Sequence, residues 1–280
     1  MKTIINSTID WSKSEKSIRA VILVGSRATD LPVDELSDYD LSIFLKDDSQ
    51  FIQNDQWLSK IGKVWVCVHE KIYWENREVP TRLVIFEGGV KVDFAFYPLE
   101  IMQKLCSSLP SEYRIILDKD EIAQKPQPRI KSYHTNKPTE LEFLNVIKEF
   151  WFEAYHVAVY LKRGDLWSAK VRSEGIRQNF LLKMIEWDEL SRHDWNYAIP
   201  PMGKSMQTWV CEKTWNALFG TFAHFDEQDS WQALHNIMEL FRNLAKETAQ
   251  KLEFKYPLDV DQNICEFINR LSNGCFKKGL

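Results

Sequence analysis

The stretch Val21-Ile22-Leu23-Val24-Gly25-Ser26-Arg27, followed about a dozen residues later by Asp38-Tyr39-Asp40-Leu41-Ser42-Ile43, decides how this chain is read. An apolar run ends in glycine and serine, and the next apolar run opens with two aspartates one residue apart. Successive side chains on a strand point to opposite faces, so residues two apart share a face. Asp38 and Asp40 therefore project together, about 7 Å apart at their Cα atoms. Tyr39, Leu41, Ile43 and Leu45 fill the other face, a pattern suited to a core. A third aspartate, Asp93, follows in Val90-Lys91-Val92-Asp93-Phe94-Ala95-Phe96. There Val90, Val92, Phe94 and Phe96 form one face, and Lys91, Asp93 and Ala95 the other. The turn signal Glu87-Gly88-Gly89 makes this run the second strand of a hairpin. An aspartate amid apolar strand residues loses hydration unless it is paired or coordinates a metal.

Three acids in this order suit magnesium, which takes oxygen ligands, commonly one or two carboxylates plus substrate phosphates. Gly25 lets the backbone come close to a phosphate. The Ser26 hydroxyl and neighbouring N–H groups can donate to its oxygens. Arg27 is the nearest cation for a released pyrophosphate. Each piece alone has an ordinary reading: Gly-Ser as a plain turn, Asp-x-Asp as a solvated strand start. The ordered set is far more specific. It points to two magnesium ions, a nucleoside triphosphate and nucleotidyl transfer.

The Gly-Ser…Asp-x-Asp…Asp pattern resembles that of the polymerase-beta-like nucleotidyltransferase superfamily. Over nearly the whole chain the sequence is similar to the aminoglycoside 6-adenylyltransferase family, the streptomycin-modifying kind. The supporting segments are Ile18-Arg19-Ala20-Val21, Gly25-Ser26-Arg27, Asp38-Tyr39-Asp40 and Val92-Asp93-Phe94. In the second half they are Glu149-Phe150-Trp151, Leu181-Leu182-Lys183-Met184-Ile185-Glu186-Trp187, Gly203-Lys204 and Tyr256-Pro257. The resemblance implies an α/β nucleotidyltransferase domain, a mixed sheet with flanking helices, followed by an all-α domain, with the site in the cleft between them. It implies ATP as co-substrate, magnesium, and transfer of AMP to an aminoglycoside hydroxyl. Asp38 and Asp40 would then be metal ligands, and Asp93 a third metal ligand or the general base. Gly25 and Ser26 would hold the triphosphate, with Lys204 beside it.

Composition agrees with this reading. A chain of 280 residues, 44% hydrophobic, can build one large or two medium domains. A net charge of −4 argues against a nucleic-acid binder, which usually shows a basic stripe, and suits a cationic small-molecule acceptor. Five scattered cysteines without C-x-x-C spacing favour free thiols in a reducing cytoplasm over disulfides or zinc. The polar first twenty residues do not read as a signal peptide. The longest apolar run, Ala20–Val24, is too short to span a membrane. A monomer or small homo-oligomer is expected.

The hydrophobic period changes along the chain. Strands are expected at 18–24, 39–45, 63–69, 81–87, 90–97 and 113–117, with helices at 48–61 and 98–106. Residues 119–138 carry three prolines and several charges and read as a linker closing a domain over 1–137. The second domain, 138–280, reads as helices at 139–163, 165–188, 206–223, 229–253 and 260–272. Thr139 and Glu142 form a capping-box pattern. Gly164 stops the first helix, Asp165 caps the second, and Asp229 or Ser230 caps the fourth.

Glu149 and Glu153 lie four apart and share a helical face. They can meet the cationic groups of an acceptor, and Trp151 can stack on them, although an exposed acidic face and a core tryptophan are the commoner roles of such residues. His156 with His193-Asp194 lacks the further ligands of a metal phosphohydrolase. Gly203-Lys204-Ser205 lacks the leading glycine and strand of a P-loop. Two rivals remain: a nucleotidyltransferase acting on a lincosamide, another small alcohol or a protein, and an inactive nucleotide-binding regulatory module. The presence of all three acids and of a large helical half argues against the second.

Overall fold

The chain divides into two units, Met1–Lys131 and Ser132–Leu280. The computed structural model describes residues 3–28, 33–47, 49–109, 113–123 and 136–274. Most of the linker expected over 119–138 lies outside the described residues.

The first unit is built on a six-stranded mixed sheet. Its strands are β1 (Ile18–Val24), β2 (Tyr39–Leu45), β3 (Val64–Trp74), β4 (Arg77–Phe86), β5 (Val90–Pro98) and β6 (Arg114–Asp118). Their order across the sheet is β3-β4-β5-β2-β1-β6. β2 pairs with β5 in parallel, and the other described pairings are antiparallel. The alternation read from the sequence holds. Leu41, Ile43, Leu45, Phe94 and Phe96 point into one core, closed by α1 (Ile4–Ser14). Trp11 of α1 stacks on Trp57 at 4.5 Å in that core. Ala20, Ile22, Phe44 and Tyr97 point to the other face, against α3 (Met102–Ser108).

Three expectations for this unit are corrected. The helix expected at 48–61 is two short pieces, α2 (Ser49–Ile52) and a 3₁₀ turn, Gln56–Lys60. The Asn54 side chain accepts from Gln56 N–H at 3.0 Å, a local bond that ends the first piece. The helix α1 was not expected at all. The outer hairpin is longer than expected, with β3 and β4 meeting at Glu75-Asn76, both with positive φ. β3 is an edge strand with few buried residues, so its sequence carries no clean alternation.

The second unit is helical: α4 (Glu140–Arg163), α5 (Leu166–Ile176), α6 (Leu182–Arg192), α7 (Glu212–Leu218), α8 (Glu227–Leu252) and α9 (Leu258–Ser272). The capping box of Thr139 and Glu142 is formed, Gly164 is left-handed at φ 75°, and Asp165 caps α5. A π-helical turn at Arg177–Leu181 joins α5 to α6. The long helix expected at 206–223 is instead two 3₁₀ turns around α7. The Cys211 N–H donates to the buried Glu189 carboxylate at 2.7 Å, so the chain must restart its helix at Glu212. The cap of α8 is Asp226, not Asp229 or Ser230. Its carboxylate accepts from Asp229 N–H at 2.8 Å, while the Asp229 carboxylate takes the N–H of His224. Among the described residues no helix is long and apolar enough to cross a membrane.

One buried ion pair ties α8 to α9. Arg242 Nε and Nη2 donate to both oxygens of Asp261 at 2.7–3.0 Å, and the Tyr256 hydroxyl donates a further bond at 3.0 Å. Burial pushes the Asp261 carboxyl upward, but these bonds outweigh it and hold its pKa below the ordinary value of 3.8. The stability this group adds is therefore complete above that ordinary value and is lost as pH falls through the lower folded value. Removing one partner of a buried pair leaves an uncompensated charge and costs about 3–5 kcal/mol. Asp261→Ala is therefore expected to destabilise the helical unit by about 3 kcal/mol in denaturant titrations at pH 7, and by less at pH 3.

Candidate active site

The parallel register of β2 and β5 places Asp40 opposite Asp93, and the antiparallel register of β1 places Val24 on the other side of Asp40. The Asp40 carboxylate thus stands between the end of β1 and Asp93. Asp38 lies two residues earlier on the same face. Each of the three carboxylates offers an oxygen within 4.8 Å of the other two. All three residues are half-buried. Asp93 Oδ1 is closed to solvent and accepts no hydrogen bond among the described residues. A buried carboxylate oxygen without a donor is rare in native proteins and calls for an explanation, which a bound ion beside Asp38 and Asp40 would give. An all-oxygen set of three acids suits magnesium, so the residues present fit such an ion.

Gly25 is required here by contact as well as by conformation. Its φ is +73°, and a Cβ there would lie 2.0 Å from Asp40 Oδ2. Any side chain would displace the central carboxylate. The following Ser26–Ala28 segment is a 3₁₀ turn at the end of β1.

Lys91 was placed on this face by the sequence but given no role. Its ammonium donates to Asp38 Oδ2 at 2.9 Å and to Asp93 Oδ2 at 2.7 Å. Burial works against the charged form, but the bonds to Asp93 and Asp38 prevail and raise the Lys91 pKa above its ordinary value. Lys91 thus supplies the positive charge that the facing carboxylates need. Its signal in the sequence is the Lys-x-Asp spacing on one strand face. What that spacing omits is Asp38, which reaches Lys91 only through the parallel pairing of β2 and β5.

Arg27 is engaged in holding the loop. Its Nε donates to the carbonyls of Ser37 and Asp38 at 2.9 and 3.1 Å, and its Nη2 to that of Asp34 at 3.0 Å. The guanidinium lies 4.2 Å from the centroid of the Tyr39 ring. These contacts fix the backbone that presents Asp38.

A family model described as streptomycin adenylyltransferase matches residues 1–271. The chain belongs to the streptomycin adenylyltransferase family. It is 30% identical over 266 residues to an aminoglycoside 6-adenylyltransferase of Bacillus subtilis, covering 92% of this chain and 93% of that one. It is 28% identical over 274 residues to one of Campylobacter jejuni, covering 96% and 94%. A crystal structure of an aminoglycoside 6-adenyltransferase from Bacillus subtilis aligns over 97% of this chain and 99% of that one, at 24% identity and a TM-score of 0.48. As a member of the streptomycin adenylyltransferase family, the protein is an adenylyltransferase enzyme.

The remaining expected site residues belong to the helical unit of this family member. Lys204 is exposed, in a loop where Met202, Gly203 and Ser205 all have positive φ. Its carbonyl accepts from Trp209 Nε1 at 3.0 Å, which leaves the ammonium outside that contact. Trp151 is corrected: it is 0% exposed in the helical core, edge-on to Phe150 at 5.1 Å and beneath Arg242 at 5.3 Å, so no ligand can stack on it. Glu153 is ion-paired with Arg172 at 2.6 Å, while Glu149 is exposed. His193 stacks on Tyr197 at 4.4 Å, and neither it nor His156 joins a cluster of metal-ligating groups among the described residues.

A divalent ion bound by Asp38 and Asp93 would compete with the Lys91 ammonium for their oxygens. Two unit charges 4 Å apart repel by roughly 4 kcal/mol at a protein surface, most of it relieved if the lysine swings away. Lys91→Met is therefore expected to bind Mn²⁺ in the absence of nucleotide about tenfold more tightly than wild type, read by electron paramagnetic resonance of free Mn²⁺. Unchanged Mn²⁺ affinity would place the ion elsewhere.

Proposed function

We propose that the protein transfers AMP from ATP to a hydroxyl of an aminoglycoside, with streptomycin the first choice, and releases pyrophosphate. In a bacterium this reaction would inactivate the drug and give resistance, and its need for ATP fits a cytoplasmic enzyme. The acceptor oxygen attacks the α-phosphorus, the bond from that phosphorus to the bridging oxygen breaks, and the hydroxyl proton passes to a nearby base. The observation that carries this reading is the trio Asp38, Asp40 and Asp93, with the orphaned Asp93 Oδ1 and with Gly25 pressed against Asp40.

Asp38, Asp40 and Asp93 would hold magnesium, two ions in the fullest form of this reading. Bound there, magnesium would neutralise phosphate charge and stabilise the attacking and leaving oxygens. Gly25 and the backbone N–H groups after it would cradle the triphosphate, and a Cβ at Gly25 would displace the Asp40 carboxylate beside it. Asp93 is also the candidate base, and in that role it must come within about 2.6–3.2 Å of the acceptor hydroxyl or one water away. Lys91, released from its carboxylates when cations enter, would remain beside the phosphates as a further positive charge.

A cationic acceptor suits a chain with net charge −4. Glu149 is the exposed acid of the expected pair, and Glu153 would have to exchange Arg172 for the drug. Exposed charge pairs are screened over about 8–10 Å, so drug binding should weaken as salt rises.

The test is mass spectrometry of purified protein with ATP, magnesium and a panel of aminoglycosides, with Asp40→Asn as control. Streptomycin is expected to gain one AMP group, and Asp40→Asn to lose at least about 10²-fold in rate, the lower end for removing one group that stabilises transition-state charge. AMP transfer to a lincosamide or a protein instead would move the acceptor and leave the chemistry. No transfer to any acceptor, with unaltered folding, would remove the catalytic reading.

A further inference from the structure

We propose that Asp55, Cys67 and His69 form a second metal site, for a divalent transition ion, with zinc the ion its donors fit best. The site is independent of the transfer reaction. Cys67 and His69 are two apart on β3 and share a face, opposite Val84 and Arg82 of β4. Arg82 in turn lies opposite Phe94, whereas Leu83 lies opposite Asp93. The cluster therefore sits on the sheet face opposite the three catalytic aspartates.

The donors converge. The ligand atoms of Asp55, Cys67 and His69 all lie within 4.8 Å of one another. Cys67 Sγ is 3.7 Å from Asp55 Oδ2, and His69 Nε2 is 2.5 Å from the same oxygen. Zinc binds thiolate sulfur at about 2.3 Å, imidazole nitrogen at about 2.0–2.1 Å and carboxylate oxygen at about 2.0–2.2 Å. Tetrahedral ligands at those lengths stand roughly 3.3–3.7 Å apart. The Cys67–Asp55 separation already matches, and the His69–Asp55 contact must open by about an ångström. The His69 side chain is 57% exposed and can make that movement.

The orientation of Asp55 is imposed from outside the trio. Arg82, 3% exposed, donates from Nε to Asp55 Oδ1 at 2.8 Å and from Nη2 to the Ile52 carbonyl at 2.7 Å. One carboxylate oxygen is thereby held by a buried guanidinium, and the other faces the thiol and the imidazole. Outer contacts of this kind orient metal ligands and set their affinity. The charge also balances. Arg82 offsets Asp55, and the thiolate and ion leave one positive charge at the surface. Burial and the Asp55 charge push the Cys67 thiol up to about 11, so without a metal it keeps its proton. Binding would release that proton from Sγ to solvent as the S–metal bond forms. With three protein ligands, water would fill the fourth position. The ion would clip the edge strand β3 to the segment before it, where the sheet has little buried surface of its own.

The test is Co²⁺ titration of reduced, chelator-treated full-length protein, followed by Zn²⁺ displacement. A thiolate-to-cobalt charge-transfer band is expected at one equivalent, bleached by Zn²⁺, and Zn²⁺ should raise the melting temperature. His69→Ala, at an exposed position, and Cys67→Ala should each lower affinity by at least about tenfold, the smaller effect seen for altered metal shells. The Asp38→Asn/Asp93→Asn double variant should keep the band. Absence of the band, its persistence in both His69→Ala and Cys67→Ala, or its loss in the double variant would each overturn the site.

Discussion

Three carboxylates held within 4.8 Å of one another repel, and the first unit is arranged around the positive charge they require. In the structure that charge is the Lys91 ammonium, bonded to Asp38 and Asp93. Asp93 keeps one buried oxygen without a donor, so the lysine compensates the site incompletely. On the proposed reading, a tethered cation among the ligands would resolve two opposing needs. The acids would have to lie close enough to share metal, and the fold would have to tolerate them before the metal arrived.

The backbone provides the closeness. Parallel pairing of β2 with β5 sets Asp40 beside Asp93, and the antiparallel return of β1 brings Gly25 against Asp40. Arg27 pins the loop carbonyls before β2, which fixes where Asp38 begins. Below the site, Leu41, Ile43, Phe94 and Phe96 are fully or almost fully buried and lock both strands in register. A slip of one residue on either strand would turn its acids into that core. Hydrophobic packing on one face therefore secures the geometry of the charged face.

This part of the molecule was legible in the sequence because a period of two carries both core and site. The faces of Asp38, Asp40 and Asp93 followed from alternation alone, and the six strands were found near their places. What alternation cannot give is which strands are neighbours. Lys91 went unassigned for that reason, since its bond to Asp38 crosses from β5 to β2. The outer hairpin was shortened because an exposed edge strand carries no apolar rhythm. In the helical unit, caps such as Thr139 and Asp165 were readable as local chemistry. Trp151 was assigned to the ligand because it neighbours Glu149 and Glu153 in sequence, whereas the helical period sets it with Phe143, Ile147, Phe150 and Ala154 on the apolar face. The break before α7 depends on Glu189, more than twenty residues away in sequence.

The account rests on the three aspartates as the seat of metal and triphosphate. Anomalous diffraction from crystals grown with Mn²⁺ and a non-hydrolysable ATP analogue tests it most directly. Manganese peaks in contact with Asp38, Asp40 and Asp93, the triphosphate over Gly25-Ser26, and the Lys91 ammonium withdrawn from at least one carboxylate are the predicted result. Manganese and triphosphate bound elsewhere, with Lys91 still bridging Asp38 and Asp93, would contradict it.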